Sequence, residues 1–484
     1  ARRKPVRPRR KRRRPPRAQV AIYPIHMKAL YVLSFFLYNG RAGGAVPPAV
    51  HKNEVSHLKL SFYTLGCKVN QNETGALAQL FYENGFEPAP DGGEADVYIV
   101  NSCTVTAGGD KKSRQWLRRA KRRNPGAVTV LTGCFPQAFP GEALAVEEAD
   151  IITGSGARRR VLDNVLRFLQ EGGRIVDIAP HEKSERFEEL PMERLEGHTR
   201  AFMKIEDGCN RRCAYCVIPR ARGYVRSRSE ENILKELAVL AGAGYQEVVF
   251  SGINLSSYGR DTGTDLAEIV EKAAQVPGIR RIRLGSLEPD LMTEEMIARM
   301  ARVPALCPQF HLSLQSGCDR TLARMNRKYN TAEFLACVER LRRYFPGCAL
   351  TADMITGFPG ETEDDQAQAV AFLERVGFAA VHVFPYSRRP GTKADAMPEQ
   401  LSHAVKSARA HAAQRVADDC KQRYLAQQIG QILPVLFETE QDGRWVGHSD
   451  NYCLVSVAGD DLRGVVKNVK ISAVSGQMLV GDLV

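Results

Sequence analysis

The chain has 484 residues, 44% hydrophobic and 25% charged, ordinary proportions for a soluble globular protein of two to four domains. Its formal charge of +13 hints at a polyanionic partner, but eleven Lys and Arg fall within residues 1 to 17, leaving +2 for the rest. Twelve cysteines are too sparse for a secreted disulfide framework, and no run is long and apolar enough to span a bilayer as a helix, so no membrane is expected.

Residues 1–57 read as a basic leader. Ala1 to Arg17 lacks apolar periodicity and is rich in Pro and Arg, as in a disordered arm. It is either a nucleic-acid arm or an overextended gene model, since Met27 offers a later start. Ala29 to Tyr38 superficially resembles the apolar part of a signal peptide but is too short to cross a membrane.

From residue 58 to about 180 short apolar strands alternate with helical stretches, the pattern of an open parallel α/β domain. Strands are expected at Lys59 to Leu65, Val97 to Asn101, Val128 to Thr132 and Ile151 to Thr153, and helices at Asn72 to Asn84, Asp110 to Arg123 and Arg158 to Gln170. Cys67, Cys103 and Cys134 each fall just past one of these strands, 36 and 31 residues apart, about one βα unit each. In open parallel sheets that edge is where ligands bind, so three turns can bring the thiols together. Spacing alone equally allows three unrelated buried cysteines.

A charged linker, His181 to His198, leads to six strand candidates within residues 199–428: Ala201 to Glu206, Glu247 to Ser251, Arg280 to Leu284, Gln309 to Leu314, Leu350 to Thr356 and Ala380 to Phe384. Helical stretches between them make a partial (βα)6 barrel, whose site belongs at the carboxyl face. Directly after the first strand stands Gly208-Cys209-Asn210-Arg211-Arg212-Cys213-Ala214-Tyr215-Cys216, a CxxxCxxC triplet. Three thiolates on one loop can hold three irons of a cubane and leave the fourth without a protein ligand. A structural zinc needs four ligands, and no fourth Cys or His stands close in sequence. Cys307, Cys318, Cys337, Cys348, Cys420 and Cys453 have no metal spacing and read as core or surface thiols.

Ser251-Gly252-Ile253-Asn254, Ser313-Leu314-Gln315 and Gly357-Phe358-Pro359-Gly360-Glu361-Thr362 close the second, fourth and fifth strands with polar or glycine-rich turns. By physics alone they are ordinary turns or ligand approaches, and Thr362 is placed to cap a helix. Lys111 to Arg123 carries eight cations, and Arg220, Arg222, Arg226 and Arg228 trail the CxxxCxxC loop; such runs read either as solvated faces or, since both trail cysteine loops, as phosphate contacts near the active cavity. After Gln428, short strands broken by turns fit a small antiparallel β-barrel over residues 429–484. No Walker A, HExxH or complete dinucleotide fingerprint occurs, and no acid-base catalytic residue can be singled out.

The CxxxCxxC loop, with Tyr215 before its last cysteine, resembles that of the radical S-adenosylmethionine (SAM) enzymes, and Tyr63 to Thr74, Asn101 to Thr106 and Thr132 to Cys134 resemble the three cysteine motifs of the methylthiotransferase amino-terminal domain. The tail resembles a TRAM domain, and Gly66 to Gln71, Phe310 to Cys318 and Met325 to Tyr329 are most similar to the branch acting on N6-threonylcarbamoyladenosine. The resemblance implies two [4Fe-4S] clusters, one on Cys209, Cys213 and Cys216 and one on Cys67, Cys103 and Cys134, with SAM near Ser251, Gly252, Asn254, Ser313, Gln315, Gly357, Gly360 and Glu361. It also implies transfer of a methylthio group to C2 of that base at position 37 of tRNA, with the anticodon arm, a reducing electron donor and a sulfur source as partners, in the cytoplasm. Sibling enzymes acting on isopentenyladenosine or a ribosomal protein, a noncatalytic iron-sulfur RNA-binding protein and a zinc-stabilised module are the rival expectations.

Overall fold

The computed structural model describes residues 57–90, 92–190 and 199–484, so the expectations for the basic leader before His57 and for the end of the charged linker lie outside the described residues. The first sheet is parallel throughout, with Lys59–Thr64, Val97–Ser102, Val128–Gly133, Ile151–Thr153 and Ile175–Asp177 side by side and the pair Glu87–Pro88 on the outer edge. Val97–Ser102 and Val128–Gly133 are buried at every residue. Strands buried at every residue belong to a sheet covered on both faces. The two strands that patterning missed, Glu87–Pro88 and Ile175–Asp177, have two and three residues, too few for a period to show.

The barrel strands Arg200–Lys204, Glu247–Ser251, Arg281–Leu284, Gln309–Gln315, Ala349–Thr356 and Ala380–Pro385 run parallel in chain order. The third is interrupted at Gly285 and resumes as Ser286–Leu287, which pairs with the fourth. Among the described residues the first and sixth strands share no ladder, so the barrel is open. Phe250, Phe310 and Leu312 of its strands pack in one core with Phe334 and Phe372 of the surrounding helices.

The amino-terminal domain bridges that opening. Its helix Lys68–Glu83 packs on the first barrel strand, where Asn72 donates to the Phe202 carbonyl at 2.6 Å and satisfies the free edge. Beyond the sixth strand, Arg389 donates to Asp110 at 2.6 Å and Thr104 at 2.8 Å, beside Cys103.

The tail closes into a five-stranded barrel, with Met478–Leu483 as a strand that patterning missed. It is mixed rather than purely antiparallel, because Leu454–Val457 pairs in parallel with Met478–Leu483 to close the ring. Gly447 and Gly481 lie across from the register shifts at Phe437/Thr439 and Ile471/Ala473, where a side chain would strike the neighbouring strand. Arg281 and Arg283, at the amino ends of the core strands, donate to tail carbonyls of His448, Ser449 and Asp450, so the tail sits under the barrel, opposite the carboxyl-end loops.

Candidate iron-sulfur and SAM site

Three of the four turns that carry these cysteines start from a tight bend. Gly66, Gly133 and Gly208, immediately before Cys67, Cys134 and Cys209, have φ of +110°, +97° and +84°. At Gly133 a Cβ would lie 2.5 Å from Asn101 Oδ1 and 2.7 Å from the Ser102 carbonyl. Only glycine fits there, and the bend turns Cys134 off its strand.

The first trio gathers around Asn70. Cys67 Sγ and Cys134 Sγ each lie 3.9 Å from Asn70 Oδ1, and a Cβ on Gly66 would meet Cys103 Sγ at 3.1 Å. Asn70 itself is buried and donates to the carbonyls of Leu65 at 2.8 Å and Ser102 at 3.0 Å, pinning the first two turns together. Burial, with the Cys134 thiol nearby, pushes the Cys103 thiol up to about 12.

The second trio is clamped by backbone and by a small apolar cluster. Ala214 N–H donates to the Met325 carbonyl at 2.9 Å, and its own carbonyl accepts from Ala394 at 2.8 Å. Ala214, Met325, Phe358, Tyr386 and Ala394 pack together, with the Tyr215 ring edge-on to Phe358 at 6.4 Å. Burial pushes Cys209 and Cys216 up to about 12. Both thiols therefore hold their protons at neutral pH, and metal capture releases them.

The strand-end residues expected to bind SAM divide in two. Asn254 faces Cys209, its Nδ2 4.0 Å from the sulfur, and its buried Oδ1 has no partner. A Cβ on Gly252 would fall 2.5 Å from Glu206, whose carboxylate accepts from the Asn254 N–H at 2.8 Å. The others are held by the protein itself. Ser251 donates to the Met203 carbonyl, Glu361 accepts from Gly357 N–H at 2.8 Å and from Arg409 at 2.9 Å, and Gly357 and Gly360 are packed by Lys406 and by Arg324 with Glu399. The Ser313 carbonyl accepts from Arg327, and Gln315 takes φ +62° at the irregular end of its strand. As expected, Thr362 caps the following helix in a reciprocal pair with Asp365.

Two kinds of residue went unforeseen. Glu206 is fully buried, with Oε1 unpartnered, and burial followed by the nearby Asp207 charge raises its carboxyl well above the usual range. A buried carboxyl with an unpartnered oxygen and an orphaned amide oxygen beside an open cysteine loop are groups waiting for a polar ligand. The trailing arginines form the second kind, and they correct the phosphate expectation. Arg222, Arg226 and Arg228 are buried in ion pairs with Glu73, Asp207, Glu185, Glu189 and Glu236, and only Arg220 is exposed. Six buried charges (Glu73, Arg158, Lys204, Asp207, Arg222 and Arg226) lock the two domains together. Burial alone would raise Glu73, but Arg158, Arg222 and Lys204 hold it well below its usual range.

A cleft of about 650 Å³ opens beside Cys209, lined by His181, Asn210, Arg212, Arg220 and Tyr224. Its walls include none of the strand ends at Ser251, Ser313 or Gly357, so it flanks the carboxyl face rather than forming it. Among the described residues no three Cys, His, Asp or Glu converge on a single ion. A cubane spreads its sulfur ligands over separate corners, so three free thiols in each trio, with no disulfide, suit a cluster better than a four-ligand zinc site.

Residues 203–373 match the model of the radical SAM superfamily, and residues 59–154 match the model described as uncharacterized protein family UPF0004. The threonylcarbamoyladenosine tRNA methylthiotransferase MtaB of Bacillus subtilis is 39% identical over 420 residues, which cover 85% of this chain and 93% of that protein. The chain belongs to the radical SAM methylthiotransferase family. Membership implies a [4Fe-4S] cluster and SAM. Another relative, the tRNA-2-methylthio-N(6)-dimethylallyladenosine synthase of Nitratidesulfovibrio vulgaris strain DP4, is 33% identical over 437 residues, covering 87% of this chain and 97% of that one. Among solved structures, the radical SAM methyltransferase TsrM of Kitasatospora setae aligns with TM-score 0.52 at 15% identity, covering 70% of this chain and 74% of that one, a likeness of fold alone. No helix among the described residues of this methylthiotransferase is long and apolar enough to cross a membrane.

Proposed function

We propose that this methylthiotransferase converts N6-threonylcarbamoyladenosine at position 37 of tRNA to its 2-methylthio derivative, with one cluster on Cys209, Cys213 and Cys216 and a second on Cys67, Cys103 and Cys134. The observation that carries this reading is the presence of two separate thiol trios, the first held by Arg222, a buried residue that trails the loop of the second, in a chain whose relatives named for threonylcarbamoyladenosine are 35 to 39% identical. Those named for the dimethylallyl substrate are 31 to 33% identical. When bound, the groups would supply a SAM-derived radical to remove the C2 hydrogen and a sulfur, methylated by a second SAM, to replace it.

The chain's own work is to bind, orient and keep water out. Glu206 and Asn254 offer buried polar atoms beside Cys209 for the amino acid part of SAM. Tyr215, Phe358 and Tyr386 seal one side of the cluster loop. From below, Tyr452 of the tail receives the cations of Lys68, Arg200 and Arg283 at 5.9, 5.4 and 4.7 Å from its ring centre, plugging the barrel beside the Cys67 turn. An unactivated C–H cannot be deprotonated by a side chain at neutral pH, which fits a site without an acid-base pair. The anticodon arm, an electron donor and a sulfur source complete the reaction as outside partners.

Nucleoside mass spectrometry of tRNA from a strain lacking the gene tests the substrate. The 2-methylthio-threonylcarbamoyl nucleoside should vanish and return with the wild-type gene; its persistence in a strain with no second enzyme would sink the assignment. Cys213→Ala should abolish reductive SAM cleavage, whereas Cys103→Ala should spare cleavage and stop methylthiolation.

A further inference from the structure

Two buried arginines have the same arrangement. A guanidinium carries five N–H donors in a rigid plane. In Arg222 all five are used: Nε to Cys134 Sγ at 3.2 Å, Nη1 to Glu73 and to Asp207 at 3.4 Å, and Nη2 to Asn70 at 2.6 Å and Glu73 at 3.0 Å. In Arg327 they go from Nε to the Tyr329 hydroxyl at 3.1 Å, from Nη1 to Cys213 Sγ at 3.2 Å and the Tyr215 hydroxyl at 3.4 Å, and from Nη2 to Glu288 and the Ser313 carbonyl at 3.3 Å. Each spends four donors on oxygen and one on the sulfur of a different trio. Each is also held by a carboxylate that is itself at least four-fifths buried, Glu73 or Glu288.

We infer that Arg222 and Arg327 are positioning residues that each set the reduction potential of one cluster, Arg222 that of the Cys67, Cys103 and Cys134 trio and Arg327 that of the Cys209, Cys213 and Cys216 trio. The physical reason is the hydrogen bond to the ligand sulfur, backed by the charge that carries it. Reduction adds an electron that spreads onto the ligand sulfurs, and an N–H donor with a buried positive charge favours the reduced form and raises the potential. Lysine keeps the charge but cannot hold a planar N–H against the sulfur while serving the other acceptors. Arg222 has a further consequence. It follows the CxxxCxxC loop yet donates to Cys134 of the other domain, so the second cluster is tuned only when the two domains are docked.

The inference rests on both trios holding clusters, and iron content with the reduced-state electron paramagnetic resonance signal of the anaerobically reconstituted full chain checks that separately. Each potential is then read alone, the Cys67 trio in a Cys213→Ala background and the Cys209 trio in a Cys103→Ala background. Arg222→Lys should lower the reduced-to-oxidised ratio of the Cys67 trio about tenfold at fixed potential, about 59 mV for one electron, and leave the Cys209 trio unchanged. Arg327→Lys should do the same to the Cys209 trio, read with Cys213 in place, and leave the Cys67 trio unchanged. Equal shifts in both clusters, or none, would overturn the inference. A measurement on the unsubstituted sites guards against misfolded variants: with ¹⁵N-arginine, pulsed resonance of each reduced cluster should show a guanidinium nitrogen coupling, and its absence from either trio is equally fatal.

Discussion

Gly133 illustrates how much a single residue decides. With φ at +97° and an added Cβ falling within 2.7 Å of two oxygens, Gly133→Ala must either shift the Asn101 and Ser102 turn or give up the bend. The backbone strain alone costs on the order of 1 to 3 kcal/mol. Reconstituted Gly133→Ala should lower the denaturation midpoint and carry about half the wild-type iron, because Cys134 no longer reaches its trio; full iron loading would show that the bend is dispensable. The cysteines were legible as sequence. Arg222, Arg226 and Arg228 were misread, because a run of arginines looks the same whether it faces phosphate or buried carboxylates. Their partners Glu73 and Glu236 and the linker residues Glu185 and Glu189 meet them only after folding.

At the scale of elements, strand positions in both parallel sheets followed from apolar runs, whereas the basic helix Ala107–Arg123 needed its neighbours to be understood. Its buried stripe is Asp110, Ser113, Leu117 and Ala120, and Arg114, Arg118 and Lys121 are neutralised by Glu142, Glu148 and Asp150. Lys111, Lys112, Arg119 and Arg122 have no acidic partner among the described residues, and Arg119 lies over Trp116, itself stacked on Tyr63 at 3.9 Å. This face is the part of the expected phosphate surface that survives. Replacing those four by alanine should weaken tRNA binding and flatten its dependence on salt by roughly 0.7 to 0.9 in logarithmic slope for each phosphate left without its cation. An unchanged slope would place the RNA elsewhere.

Across the whole molecule, docking of the tail depends on a charged seam under the barrel. Glu438 accepts from His448, from Arg200 at 2.9 Å and from Thr199 at 3.1 Å. Burial pushes its carboxyl up, but the His448 hydrogen bond and the Arg200 charge outweigh that and hold it at about 2. Burial lowers the His448 imidazole, so the neutral ring donates to the carboxylate. A depressed carboxyl stabilises the fold above its unfolded value and loses that contribution as acid protonates it. The urea-midpoint gap between the wild type and Glu438→Gln should therefore be full above pH 4.5 and close as the pH falls toward about 2. A gap independent of pH in that window would remove Glu438 from the seam.

By itself the sequence determined the two thiol trios, the strands that present them and the family they belong to, because spacing along a chain and apolar periodicity are local properties. Tertiary structure decided which charges are buried, how the amino-terminal domain bridges the open barrel, and that one guanidinium donor reaches a sulfur in each trio. Those depend on residues as far apart as Asn70 and Arg222, and only burial, which strips water from both, makes their pairing count.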